Sequence, residues 1–177
     1  MNKALIVGFG NVYRRDDGVG AAVVNAVRQK LGRPALGPED DGFDDLGHDV
    51  DTVLLHQLVP ELAETLAGYA LVVFVDAHAG ASLEDVREEW LQPCYRTPFI
   101  SHQMHPCTVL SLIPGAATQP PAGVLLSVRG HDFDFGEGLS PQTAALVPAA
   151  VRRIEELLQE QNAARASSPK DAGAPAH

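Results

Sequence analysis

Positive charge is scarce in this sequence. Lys and Arg together number 13 against 23 Asp and Glu, for a net charge of -10. A chain so acidic has no general attraction for a phosphate backbone, which argues against nucleic-acid binding. Long hydrophobic runs are also missing: Ala70–Val75 is typical of the longest, far short of a membrane span. The N-terminus carries one lysine and reaches Gly8-Phe9-Gly10-Asn11 before a signal-peptide core could form. Two cysteines, Cys94 and Cys107, do not make a disulfide framework. A cytoplasmic location is therefore expected. No Gly-x-Ser-x-Gly elbow is present to support a serine nucleophile. What remains is a globular composition, 45% apolar and 20% charged over 177 residues, enough for one domain.

Apolar runs and periodicities alternate along the chain. Ala4-Leu5-Ile6-Val7, Thr52–Leu55, Leu71–Val75 and Val124–Val128 read as strands, and Arg87–Leu91 as a strand near an edge because its composition is mixed. Leu71–Val75 is continuous and apolar, hence covered on both faces, and it ends at Asp76. Asp16 and Asp17 open a helix whose apolar face is Val19, Val23, Ala26 and Val27, closed by Gly32 and Pro34. Pro60 suits a first helical turn before Leu62, Ala63 and Leu66; Thr108–Ile113 reads as helical, and Val147, Val151, Ile154 and Leu158 form a stripe. Strands alternating with helices predict an α/β fold: a three-layer αβα sandwich with a twisted, mostly parallel sheet flanked by helices. Residues 1–160 form the domain. Residues 35–51, crowded with seven acids, are expected to be a solvated surface insertion, since their spacing does not fit a calcium loop. Residues 161–177 are expected to be a disordered tail.

In such sheets the ligand crevice lies beyond the carboxyl ends of the strands. Gly8–Asp17, Asp76 and the Ser101-His102-Gln103 segment fall there. Gly8-Phe9-Gly10-Asn11 lacks the third glycine of a dinucleotide fingerprint, because that position is Tyr13, and acids follow where a pyrophosphate would sit. Its glycines suit a tight strand-to-helix turn. Asp16 and Asp17 read either as helix-capping carboxylates or as site residues. Asp76 ends an apolar strand, where a carboxylate needs a proton, a cation or backbone donors. His102, His105 and Cys107 lie close in sequence, but Pro106 interrupts them and the spacing matches no zinc template. His102 joined by carboxylates from other strand ends makes a three-ligand site with open positions. His56, His78 and His131 are expected to be surface or hydrogen-bonded histidines.

The ordered set Gly8-Phe9-Gly10-Asn11, Asp16-Asp17-Gly18-Val19-Gly20, Phe74-Val75-Asp76-Ala77 and Ser101-His102-Gln103 resembles the [NiFe]-hydrogenase maturation protease family. The likeness takes in Gln57-Leu58-Val59-Pro60-Glu61-Leu62 and Asp134–Pro141, and runs from about residue 3 to 158. It implies an endopeptidase that removes a C-terminal extension from a hydrogenase large-subunit precursor after nickel insertion. It places the metal-contacting residues at Asp17, Asp76 and His102; catalysis is then expected either from Asp17 or Asp76 as an acid–base carboxylate, in the manner of an aspartyl-type protease, or from a metal-bound hydroxide, with substrate binding at Gly10, Asn11 and His56. Nickel would arrive with the precursor, and another divalent ion could occupy the same ligands in the isolated protein. Other members carry an aspartate-glycine pair after the second strand, where this chain reads Leu54-Leu55-His56-Gln57; any role of that acid is missing here or passes to His56. The resemblance implies a monomer whose partner is the precursor, without nucleic acid or membrane. A non-hydrolytic nickel-binding chaperone or sensor could use the same three residues.

Overall fold

Ala4–Val7 contain no polar residue, and in the computed structural model all four are buried, with the sheet closed on both sides of them. The structure describes residues 3–80, 84–95, 103–115 and 119–167. In chain order the elements are β1 (Ala4–Phe9), α1 (Val19–Lys30), β2 (Val50–Leu55), α2 (Leu62–Leu66), β3 (Leu71–His78), β4 (Val86–Leu91), α3 (Pro106–Ser111), β5 (Ala122–Arg129), α4 (Pro141–Ala144) and α5 (Val147–Ser167). Among the described residues the five strands form one sheet in the order β2-β1-β3-β5-β4. All pairings are parallel except that of β4, which runs antiparallel to β5 along the edge. The α/β architecture expected from the sequence is therefore present.

Alternation along β1 and β3 decides which layer each side chain enters. Ala4, Ile6, Val73 and Val75 meet Val19, Val23 and Val27 of α1 and Ile154 and Leu157 of α5. Leu5, Val7, Val72 and Phe74 point the other way, onto Leu62 and Leu66 of α2 and Val109 and Leu110 of α3. The parallel pairing of β1 with β3 ends at Gly8 and Val75, whereas β3 continues beside β5 as far as His78 and Arg129. Asp76 thus lies just past the point where β1 parts from β3. That point is also where the strand order reverses, so a crevice opens there.

The turn out of β1 is as tight as its glycines imply. Gly10 has φ +139°, and a Cβ there would run into the backbone carbonyl of Asp17. A Cβ on Gly20 would sit 2.6 Å from the Val75 carbonyl and 3.0 Å from the Phe9 amide, both backbone atoms that cannot swing aside. Helix propensity alone favours Gly20→Ala by about 1 kcal/mol. The clash reverses the sign, and thermal unfolding should show a net loss of about 2–3 kcal/mol. A variant as stable as the wild type would show that α1 can move off the sheet freely.

Three expectations are corrected. The acidic stretch over residues 35–51 is not simply a solvated run. Asp45 accepts a 2.8 Å bond from Arg28, which is 2% exposed and also donates to the Pro34 carbonyl and Thr52 Oγ1. Hydrogen bonding from that guanidinium holds the Asp45 carboxyl below its ordinary range. Asp51, the second residue of β2, is fully buried and accepts from the Gly47 and His48 amides and from the Tyr69 hydroxyl. Burial, with Asp51 alongside, raises the pKa of that hydroxyl. The second correction concerns the tail, since α5 continues through Gln161 to Ser167; residues 168–177 lie outside the described residues. Finally, Cys94 and Cys107 are disulfide-bonded, Cα atoms 5.1 Å apart, tying the chain after β4 to the first turn of α3. No helix among the described residues is long and apolar enough to cross a membrane.

Candidate active site

Asp16 and Asp17 are neighbours with opposite fates. They lie in a 3-10 turn, Arg15–Gly18, that precedes α1. Successive side chains of such a turn point about 120° apart. Neither caps α1, whose N-cap Gly18 has no side-chain bond. Asp16 points inward and is completely buried. Its Oδ2 accepts from the amides of His131 (2.7 Å) and Asp132 (2.8 Å) and the hydroxyls of Ser140 (2.7 Å) and Thr143 (2.8 Å), and its Oδ1 from the Ser140 amide (2.7 Å). Burial alone would raise its pKa, but the donors outweigh it and hold the carboxyl well below the usual range. Asp16 therefore fastens the loop over residues 131–143 to the turn after β1. Arg14, reaching the Phe133 carbonyl, and Arg15, bonded through its amide to the Gly136 carbonyl, complete the join.

Asp17 turns the other way, half-buried, into a narrow cleft lined by Phe9, Gly10, Asp17, His56, Gln57, Leu58, Asp76, Gln103 and Met104. The Asn11 amide donates to Asp17 Oδ2 at 2.7 Å and fixes the carboxylate. Asn11 acts here through its backbone, while its side chain accepts from the Tyr13 amide and shapes the turn. Asp76 stands across the cleft. Its carboxyl is pushed up to about 7, chiefly by burial and further by the charge of Asp17, against one favourable bond from the Ala77 amide. No Lys, Arg or His among the described residues forms an ion pair with either acid. Two carboxylates thus face one cleft without a cation, a combination that suits a divalent ion or a shared proton.

The structure brings Asp17, Asp76, Gly10 and His56 together. His102 and Ser101 lie outside the described residues, although Gln103 and Met104, which follow them directly, line the cleft. Among the described residues no three His, Cys, Asp or Glu side chains form a metal-sized group. His105 is instead spent on the start of α3, its Nδ1 accepting from the Cys107 amide. His131 contacts Thr143, and His78 Nε2 lies 3.1 Å from the Glu84 carbonyl, both in the hydrogen-bonded role expected of them. Met104 was not anticipated as a cleft residue. Phe9 lies within the Gly8–Asp17 segment expected at the crevice, whereas Met104 carries no such signal.

The arrangement defines a class: an α/β protein with a paired-carboxylate cleft at the switch point between its central parallel strands. No protein-family model matches the sequence, and no curated protein matches it significantly. Solved structures do match in fold. Over 89% of this chain and 93% of the other, it is similar to the hydrogenase maturating endopeptidase HybD from E. coli, with a TM-score of 0.64 at 18% identity. The same coverage applies to a [NiFe] hydrogenase maturation protease, HycI, from Thermococcus kodakarensis, with a TM-score of 0.61 at 22% identity. A hydrogenase 2 maturation peptidase from a Thaumarchaeota archaeon aligns over 89% of this chain and 98% of its own, with a TM-score of 0.57 at 20% identity. The chain has the fold of these proteins.

Proposed function

We propose that this protein is an endopeptidase that removes the C-terminal extension from a [NiFe]-hydrogenase large-subunit precursor once nickel has been inserted. The observation that carries the reading is the cleft: two carboxylates that no cation among the described residues pairs with, at the crevice of a fold shared with hydrogenase maturation proteases. Asp17 and Asp76, with His102, would contact nickel that the precursor brings. Carboxylate oxygens and an imidazole suit such a divalent ion. Contact with the metal would act as a checkpoint, because a precursor without nickel lacks the anchor that positions its scissile bond. Positioning of that kind can remove several kcal/mol from a barrier.

Within the cleft the two acids are not equivalent. Asp17 is held as a hydrogen-bond acceptor by the Asn11 amide. Asp76, titrating near neutrality, is suited to take a proton from water and return it to the leaving amine. His56, exposed at the rim, occupies the place after the second strand and would bind the peptide. The test is the intact mass of nickel-loaded and nickel-free precursor before and after mixing with this protein. Loss of a C-terminal peptide from the loaded sample alone is expected. Binding without loss of mass would favour a nickel-binding chaperone.

A further inference from the structure

A cavity of about 400 Å³ adjoins the cleft and shares Phe9, Gly10 and His56 with it. Its floor is apolar, made at the carboxyl ends of β1 and β2 by Phe9, Leu54 and Leu55, and its wall is the segment Leu36–Asp41. That wall is built and held at both ends. The Asn25 side chain donates to the Leu36 carbonyl at 3.0 Å and accepts from the Leu36 amide at 2.8 Å, while the Leu54 amide donates to the Asp41 carbonyl at 2.9 Å. Three exposed acids, Glu39, Asp40 and Asp41, line the wall. Asp45, by contrast, has Arg28, Arg33 and His48. Glu39, Asp40 and Asp41 form no ion pair among the described residues, so their charge is open to a ligand. An apolar floor beside an unneutralised acidic wall is complementary to an extended peptide with an apolar side chain and a cation a residue or two away.

We infer that this cavity receives the precursor's C-terminal extension and selects an extended segment bearing a lysine or arginine. The inference rests on the endopeptidase reading for the identity of the peptide, and on charge complementarity and continuity with the cleft for its class. The acidic insertion then has a role: Asp45 and Asp51 fix it to the core, and Glu39, Asp40 and Asp41 face the substrate. Recognition so far along the peptide would add affinity while leaving the reacting groups alone. Such binding raises the fraction of protein engaged without changing the chemical step.

The test compares wild type with a triple variant, Glu39→Gln, Asp40→Asn and Asp41→Asn. The amides keep the acceptor oxygens that Asp40 and Asp41 offer to the Gly37 and Phe43 amides. A control, Glu61→Gln, Glu64→Gln and Glu156→Gln, removes the same charge from exposed positions away from the cavity. Two fluorescent peptides of about eight residues serve as probes, alternating valine with lysine or valine with glutamine; extended, they span roughly 25 Å. At low salt the lysine peptide should bind wild type and control at least about tenfold more tightly than the triple variant, and the preference should fade as salt is raised. With loaded precursor, KM should rise about tenfold in the triple variant while kcat stays within about twofold. Equal binding of the lysine peptide by wild type and triple variant, or binding no tighter than that of the glutamine peptide, overturns the cavity's assignment. If wild type prefers the lysine peptide but leaves loaded precursor uncut, the endopeptidase reading falls and the cavity's cation preference stands.

Discussion

Replacing Asp16 by alanine is expected to lower the unfolding midpoint at pH 7 by about 10–15 °C. The side chain is fully buried and accepts five hydrogen bonds from His131, Asp132, Ser140 and Thr143. Alanine would leave those donors facing an empty space, each costing about 1–3 kcal/mol if water does not reach it. With partial rehydration a net loss of about 4 kcal/mol is reasonable, and at this chain length each kcal/mol moves the midpoint by about 2–4 °C. Asp16→Asn should fall between the two, since its amide oxygen still accepts while its NH2 group faces other donors. The pH dependence has a definite sign. A carboxyl whose folded pKa is depressed contributes stability above its unfolded value, 3.8, and loses it as pH falls toward the folded value. The gap between wild type and Asp16→Ala should therefore narrow below about pH 4. A midpoint shift under about 3 °C at pH 7 would mean that the loop over 131–143 is held by something other than this carboxylate.

The opposite stability change is expected at Asp76. Asp76→Asn should be more stable than wild type at pH 8 and should lose cleavage of loaded precursor by at least about a thousandfold, on the scale of removing a group acting in the transition state. Burial, with Asp17 adding to it, pushes this carboxyl from 3.8 to about 7. The folded state therefore holds the proton more tightly than the unfolded one, and stability is full below about pH 4 and lost as pH rises through neutrality. A shift of that size sets an upper bound of about 4 kcal/mol. Because the carboxyl is only half-buried, water access reduces the expected gain of the asparagine variant to about 1–2 kcal/mol at pH 8, vanishing near pH 4. Asp17→Asn should abolish cleavage with the fold intact. Thermal unfolding at pH 4 and pH 8, beside the mass assay, checks both effects. An Asp76→Asn protein that cuts normally would remove Asp76 from the chemistry; one that is less stable at pH 8 would show that its charge is relieved in the free protein.

Much of the sheet was legible in the residues. Leu71–Val75 can be continuous and apolar only because both its faces are covered, and it is a central strand. The mixed composition of Arg87–Leu91 suits an edge, where β4 lies. The glycines at 8 and 10 suited a tight strand-to-helix turn, and Gly10, with φ +139°, leaves no room for a Cβ beside the Asp17 carbonyl. Less could be read where a polar residue's partner is distant. The acids of residues 35–51 look alike in composition, yet Asp45 and Asp51 serve Arg28, Tyr69 and nearby amides while Glu39 and Asp40 face outward. The bond between Cys94 and Cys107 depends on how the chain after β4 returns beside α3, which no local pattern records.

The sequence by itself determined the layers and the cleft's position, because hydrophobic period and glycine spacing act over a few residues and leave a local trace. Tertiary structure alone decided which of two adjacent aspartates became a structural clamp and which a cleft carboxylate. The donors that claim Asp16 lie 115 to 127 residues away. The charge that helps to hold the proton on Asp76 comes from Asp17, at the end of another strand's loop. Hydrogen bonding and desolvation depend on distance in space, and only folding brings these groups close.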